Sequence, residues 1–146
     1  PFCARGAPGA WCRADDGLGA QPAAAHPTFQ RVRTIAELEA ILAKTTRPVM
    51  LDFYADWCVS CKEFELFTLT DANVKEKLKG VRLVQVDVTD STPSDRALLK
   101  QFNLFGPPAI LFFPAGETES IHTVIGFQNA RRFDETLAQI RPNLGL

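Results

Sequence analysis

The sequence predicts an α/β fold: one central mixed β-sheet flanked by helices on both faces. Three observations carry that expectation. The run Val49 to Ala55 is apolar, β-branched and aromatic, which reads as a buried strand, and helical spacing begins soon after it. A strand and a helix before it complete a strand–helix–strand unit. The last third holds two strands joined by a short turn, then a helix, and a hairpin in such a fold makes the sheet mixed.

At 146 residues the chain is long enough for one domain with a proper core. Residues 1–27 read as a flexible leader or linker and residues 28–146 as the folded domain. The leader is rich in Ala, Gly and Pro, without periodicity. It holds Trp11, Cys3 and Cys12. Pairing of these cysteines with each other is one reading; a second redox pair, or a ligand set with His26, is another. The chain opens on Pro1 rather than Met and reads as a processed or excised piece of a longer protein.

Phe29 to Arg33 is a short first strand. Thr34-Ile35-Ala36-Glu37 has the capping-box pattern and opens a helix with Ile35, Leu38, Ile41 and Leu42 as its apolar stripe. Pro48 bounds the central strand. The following helix carries Cys61, Phe64 and Phe67 on one stripe. Thr70-Asp71 caps a shorter helix, Ala72 to Leu78, closed by Gly80. Val81 to Val88 alternates apolar and polar residues and forms the next strand. Ser91 to Asp95 starts a helix carrying Ala97, Leu98, Leu99 and Phe102. Phe105-Gly106-Pro107-Pro108 leads into the strand Ile110 to Phe113. Pro114 to Glu117 is a hairpin turn, and Ser120 to Ile125 returns as an edge strand. Gly126 breaks it, and Asn129 caps the last helix, with Phe133, Leu137 and Ile140 inward.

Cys58-Val59-Ser60-Cys61 falls at the junction of the central strand and its helix. A helix start has free N–H groups and the positive end of the macrodipole. Cys58 is therefore expected to ionise readily and act as the nucleophile. Cys61, one turn on and on the same face, is the expected resolving thiol. Half of a zinc site has the same spacing. A structural zinc site needs four ligands, however, and Cys3 and Cys12 are wrongly spaced, so redox chemistry is expected rather than metal, and no organic cofactor is needed because the cysteines carry both electrons.

The segment from Asp52 through Tyr54-Ala55-Asp56-Trp57-Cys58 to Cys61-Lys62 resembles the active site of the thioredoxin fold. Extended through Glu63-Phe64-Glu65, it is similar to the C-terminal periplasmic domain of the DsbD family of membrane thiol:disulfide interchange proteins. The likeness spans roughly residues 30–142. It implies a protein-disulfide reductase that relays electrons through Cys58 and Cys61. The donor would be a membrane-embedded domain and the acceptor a second periplasmic domain. It further implies a monomeric domain in the periplasm, tethered to an inner-membrane protein, that serves disulfide isomerases and cytochrome c biogenesis.

Asp52 lies inside an apolar strand, either at an exposed end or buried at a cost. In the family resembled, the matching position is a buried acid that takes the resolving thiol's proton, directly or through water, with its pKa raised. Glu65 is four residues after Cys61 and seven after Cys58, on their helix face. It reads either as solvated polar face with Lys62 and Glu63 or as an acid that disfavours the thiolate, and the resemblance supports the second. Pro108 matches a cis-proline facing the cysteine pair, whose preceding backbone pairs with an extended substrate segment. Pro107 stands where an aliphatic residue is usual and removes an N–H there. Trp57 and Tyr54 complete the substrate-binding set, which Phe105 and Gly106 extend. Asp56 reads as solvated, and His122 as surface rather than catalytic base.

A formal net charge of −1 argues against a nucleic-acid partner. No apolar run approaches a membrane span. Two competing functions remain: a free-standing thioredoxin-like reductase or isomerase, and a non-catalytic peptide-docking or zinc module.

Overall fold

The computed structural model describes residues 27–146, so residues 1–26 of the leader, with Cys3, Trp11, Cys12 and His26, lie outside the described residues. Among the described residues five strands form one sheet in the order β1-β3-β2-β4-β5. They are β1 (Gln30–Val32), β2 (Val49–Tyr54), β3 (Arg82–Asp87), β4 (Ala109–Phe113) and β5 (His122–Ile125). β1 and β2 both run parallel to β3; β4 runs antiparallel to β2 and pairs with β5 as the hairpin. The sheet is mixed, as expected.

The helices are α1 (Ile35–Lys44), α2 (Val59–Glu63), α3 (Ala72–Lys77), α4 (Pro93–Gln101) and α5 (Ala130–Ile140). Their starts follow local chemistry. Thr34, Asp71, Thr92 and Asn129 each cap a helix through side-chain oxygen. The reciprocal capping box forms at Thr92 and Asp95. At Thr34 the return bond shifts by one residue: Glu37 accepts from the N–H of Arg33.

β2 and β4 are buried along their whole length, because helices cover both sides. One core holds Leu51, Phe53, Val84, Val86 and Leu111 against Leu38 and Leu42 of α1 and Leu98 of α4. The other holds Met50, Ile110 and Phe112 against Phe64, Val74 of α3 and Phe133 and Leu137 of α5.

The helix after the cysteines departs from expectation. It is α-helical only through Glu63; Phe64–Thr68 is a π turn, in which the N–H of Leu69 reaches back five residues to the carbonyl of Phe64. The wider turn rotates the chain beyond it. Phe64 stays buried, but Thr68 rather than Phe67 completes the inward face, and Phe67 is 63% exposed. The hydroxyl of buried Thr68 donates to the carbonyl of Gln128 at 2.6 Å, which satisfies it.

Candidate active site

The site lies where β2 ends and β4 begins. Because the two strands are antiparallel, Phe53 sits opposite Ala109, and the proline loop before β4 comes to the same end of the sheet as the cysteines after β2. Cys58 is the N-cap of α2, with extended backbone (φ −88°, ψ 101°), and its sulfur accepts from the N–H of Cys61 at 3.2 Å. Cys58 and Cys61 are joined as a disulfide, with Cα atoms 5.3 Å apart. Both are buried, and Cys61 Sγ lies 3.9 Å from the carbonyl of Phe53. Such a pair takes up two electrons and two protons on becoming a dithiol.

Asp52 is buried on the opposite side of β2 from Leu51 and Phe53, because side chains alternate along a strand. Its register partner on β3 is Gln85, whose Nε2 donates to Asp52 Oδ2 at 2.9 Å. The same nitrogen donates to Glu65 Oε1 at 3.3 Å. Burial pushes the Asp52 carboxyl up to about 7; the Gln85 hydrogen bond opposes this, the charge of Glu65 adds to it, and Arg31 opposes it again. Glu65 is half-buried in the π turn and reaches toward the sheet rather than toward Lys62 and solvent.

The loop before Cys58 is fastened to the end of β3. The indole N–H of Trp57 donates to the carbonyl of Thr89 at 3.1 Å, and the N–H of Asp56 donates to the Thr89 hydroxyl at 2.9 Å. Thr89 is held in turn by Asp87, which accepts from both its N–H and its hydroxyl. Arg31 pairs with Asp87 at 2.6 Å. Burial pushes Asp87 up, but its bonds to Thr89 and Arg31 outweigh that and leave it below the usual carboxylate range.

Tyr54 does not belong to the outer surface. It is buried, its ring lies under the Arg31 guanidinium at 5.6 Å, and its hydroxyl donates to Asp56 at 3.0 Å. Burial, then the contact with Asp56, pushes its hydroxyl up to about 12. Asp56 is exposed, as expected, and it takes that bond as well.

The Pro107–Pro108 bond is cis. The N–H of Gly126 donates to the carbonyl of Pro108 at 3.0 Å and ties the loop to the end of β5. Trp57, Val59 and Phe105 are exposed apolar side chains, and Phe105 is fully exposed. His122 pairs with Phe112, toward the far end of β4 from Ala109.

Two residues of the site escaped the sequence reading. Gln85 looked like the polar half of an alternating strand; the signal was an amide between Val84 and Val86 in a sheet covered on both faces. Thr89 carried no signal, since it acts partly through its backbone. Among the described residues no group of three or more His, Cys, Asp or Glu is placed to hold a metal ion. Among them, too, no helix is long and apolar enough to cross a membrane.

Comparison with known proteins places this geometry. A thioredoxin-like family model matches residues 30–115. The thiol:disulfide interchange protein DsbD of Ralstonia nicotianae is 54% identical over 130 residues, covering 87% of this chain and 21% of that protein. DsbD of Klebsiella pneumoniae is 50% identical over 115 residues, covering 77% and 19%. This chain thus spans about a fifth of the length of these curated relatives. The crystal structure of the Neisseria meningitidis DsbD C-terminal domain in its reduced form superposes with a TM-score of 0.63 at 36% identity, covering 75% of this chain and 98% of that one. A thioredoxin from Thermus thermophilus gives 0.63 at 25% identity, covering 82% and 92%. Fold, paired cysteines and relatives agree, and the chain belongs to the thioredoxin-like family, in the branch formed by the C-terminal domains of DsbD.

Proposed function

We propose that this domain is a thiol–disulfide oxidoreductase, a protein-disulfide reductase working through Cys58 and Cys61. The observation that carries the reading is the Cys58–Cys61 disulfide at the start of α2, in a chain of the DsbD branch. In the reduced domain, the Cys58 thiolate attacks one sulfur of a partner disulfide. A Cys58–partner S–S bond forms, and the partner's other sulfur leaves as a thiolate that takes up a proton. Cys61 then gives up its proton and attacks the Cys58 sulfur; the internal disulfide forms as the Cys58–partner bond breaks, and the partner's second sulfur leaves as a thiolate that takes up a proton. Two electrons pass to the partner.

Asp52 receives the Cys61 proton, directly or through a water, and its raised pKa suits it to both holding and releasing one near neutral pH. The charge of Glu65 stands against thiolate formation nearby. Trp57, Pro107 and Pro108, with Phe105, present the surface on which the partner's disulfide segment docks. Tyr54 contributes from beneath, by fixing Asp56.

In the whole protein we assign this domain to the periplasm, as a monomeric unit. There it takes electrons from a membrane-embedded domain and gives them to a periplasmic acceptor domain. The support is that the relatives at 45–54% identity are named DsbD. The test is substitution of each cysteine. Cys58→Ala abolishes reduction of a protein disulfide, and Cys61→Ala traps a mixed disulfide visible by mass. Turnover retained by Cys58→Ala overturns the mechanism.

A further inference from the structure

Gln85 stands in β3 with 2% of its surface exposed. A primary amide has two N–H donors, and once buried both need acceptors. Nε2 donates to Asp52 at 2.9 Å and to Glu65 at 3.3 Å. Ionised carboxylates only accept, so the nitrogen is the amide atom that faces them. The three side chains come from β2, β3 and the π turn, and the sheet register sets Gln85 directly beside Asp52. The charges that act on Asp52 are Glu65 from the π turn and Arg31 from β1, the latter paired with Asp87.

We propose that Gln85 is a positioning residue of the exchange site: one amide nitrogen binds both acids and sets how readily Asp52 takes up the Cys61 proton. The use of that proton rests on the exchange reading above; the coupling of the two acids does not. The amide acts on Asp52 in two ways. Donation to Asp52 favours its carboxylate form against burial and against Glu65. Donation to Glu65 places a positive N–H dipole between the two acids, so that Asp52 feels less of its neighbour's charge.

The test follows the Asp52 carboxyl carbon by NMR against pH in the disulfide form of the full chain, with Asp52→Asn to identify the resonance. Gln85→Met keeps the length of the side chain and removes its donors. Its Asp52 midpoint is expected to rise by about one pH unit, the worth of a lost hydrogen bond to a charged group. Glu65→Gln lowers the midpoint, and it does so by more in the Gln85→Met background than in the parent. An unmoved midpoint in Gln85→Met, or equal Glu65→Gln shifts in both backgrounds, overturns the proposal. Should Gln85→Met not fold, Gln85→Asn retracts the amide while keeping the site polar; it must shift the midpoint upward, and no shift overturns the proposal equally. The titration is made on the disulfide form with no thiol present and involves no turnover, so a failure here is distinct from a failure of the Cys58→Ala test.

Discussion

The two sides of the cysteine helix are both served by β3, and in different ways. On the outer side, just past the end of β3, Thr89 fastens the loop of Asp56 and Trp57 through a carbonyl and a hydroxyl, close to solvent. On the inner side, Gln85 holds Asp52 and Glu65 in a buried network. The outer bonds are to neutral groups and fix a position. The inner bonds are to acids, and burial has moved one of those into the range where protons exchange near neutral pH. On the proposed function, docking and proton transfer are governed by residues four positions apart, one in β3 and one just past its end, and changes to one side should leave the other nearly untouched.

Asp52→Asn tests the inner side with the largest effect. The carboxyl titrates near 7 in the fold against 3.8 for a free one. Between those values the folded chain holds a proton that the unfolded chain has released, so stability falls as pH rises through the window. At about 1.4 kcal/mol per pKa unit the loss approaches roughly 4 kcal/mol. Asn stays neutral, so the variant loses this slope and gains on the parent from pH 4.5 to pH 7.5. Urea unfolding at both values measures it, and parallel behaviour of the two proteins refutes the buried-acid reading. The resolving step should slow by about 10²-fold, the usual worth of a positioned base.

Phe64→Ala strikes the inner side through packing alone. Phe64 meets Phe133 edge-on at 5.0 Å and Phe127 at 5.9 Å. Its truncation should cost about 3–5 kcal/mol by denaturant unfolding, without moving the Asp52 midpoint. Phe67→Ala, on the exposed face of the same turn, should cost under about 0.5 kcal/mol. Equal costs would mean that the π turn does not turn Phe67 outward.

That pair also shows where sequence reading stopped. The succession of strands and helices along the chain, the caps and the cysteine junction follow from local rules: apolar runs, side-chain oxygens before helices, and the spacing of Cys58 and Cys61. Phe64 and Phe67 obey an α-helical period, and nothing local announces that the helix widens at Phe64. The inward place of Thr68 depends on a carbonyl sixty residues away, at Gln128. Gln85 was visible only as a polar residue in a strand; its meaning came from the register that sets it beside Asp52. Pairwise placement across a sheet is a long-range property, whereas periodicity and capping are not.

Thr89→Val tests the outer side. The Thr89 carbonyl still accepts from Trp57, but Asp56 loses its acceptor and Asp87 loses the hydroxyl. The cost should be about 1 kcal/mol, with a shift in Trp57 fluorescence read in a Trp11→Phe background. The KM for a protein disulfide should rise a few-fold while the Asp52 midpoint stays fixed. A moved midpoint would show that the two sides are not independent.

Phe105→Ser is expected to have the smallest effect on stability and the most selective effect on activity. The ring is fully exposed two residues before the cis Pro107–Pro108 bond, so removing it takes almost nothing from the core. The unfolding free energy should change by less than about 0.5 kcal/mol. An aromatic anchor at an interface is commonly worth more than 1 kcal/mol, so kcat/KM with a protein disulfide should fall about 10-fold. Oxidised glutathione offers no folded surface for that ring to anchor, and its rate should not change. Equal slowing with both substrates would mean that Phe105 supports the site itself rather than the partner. A loss confined to the protein substrate would define the outer side as a docking surface whose energy is separate from the chemistry beneath it.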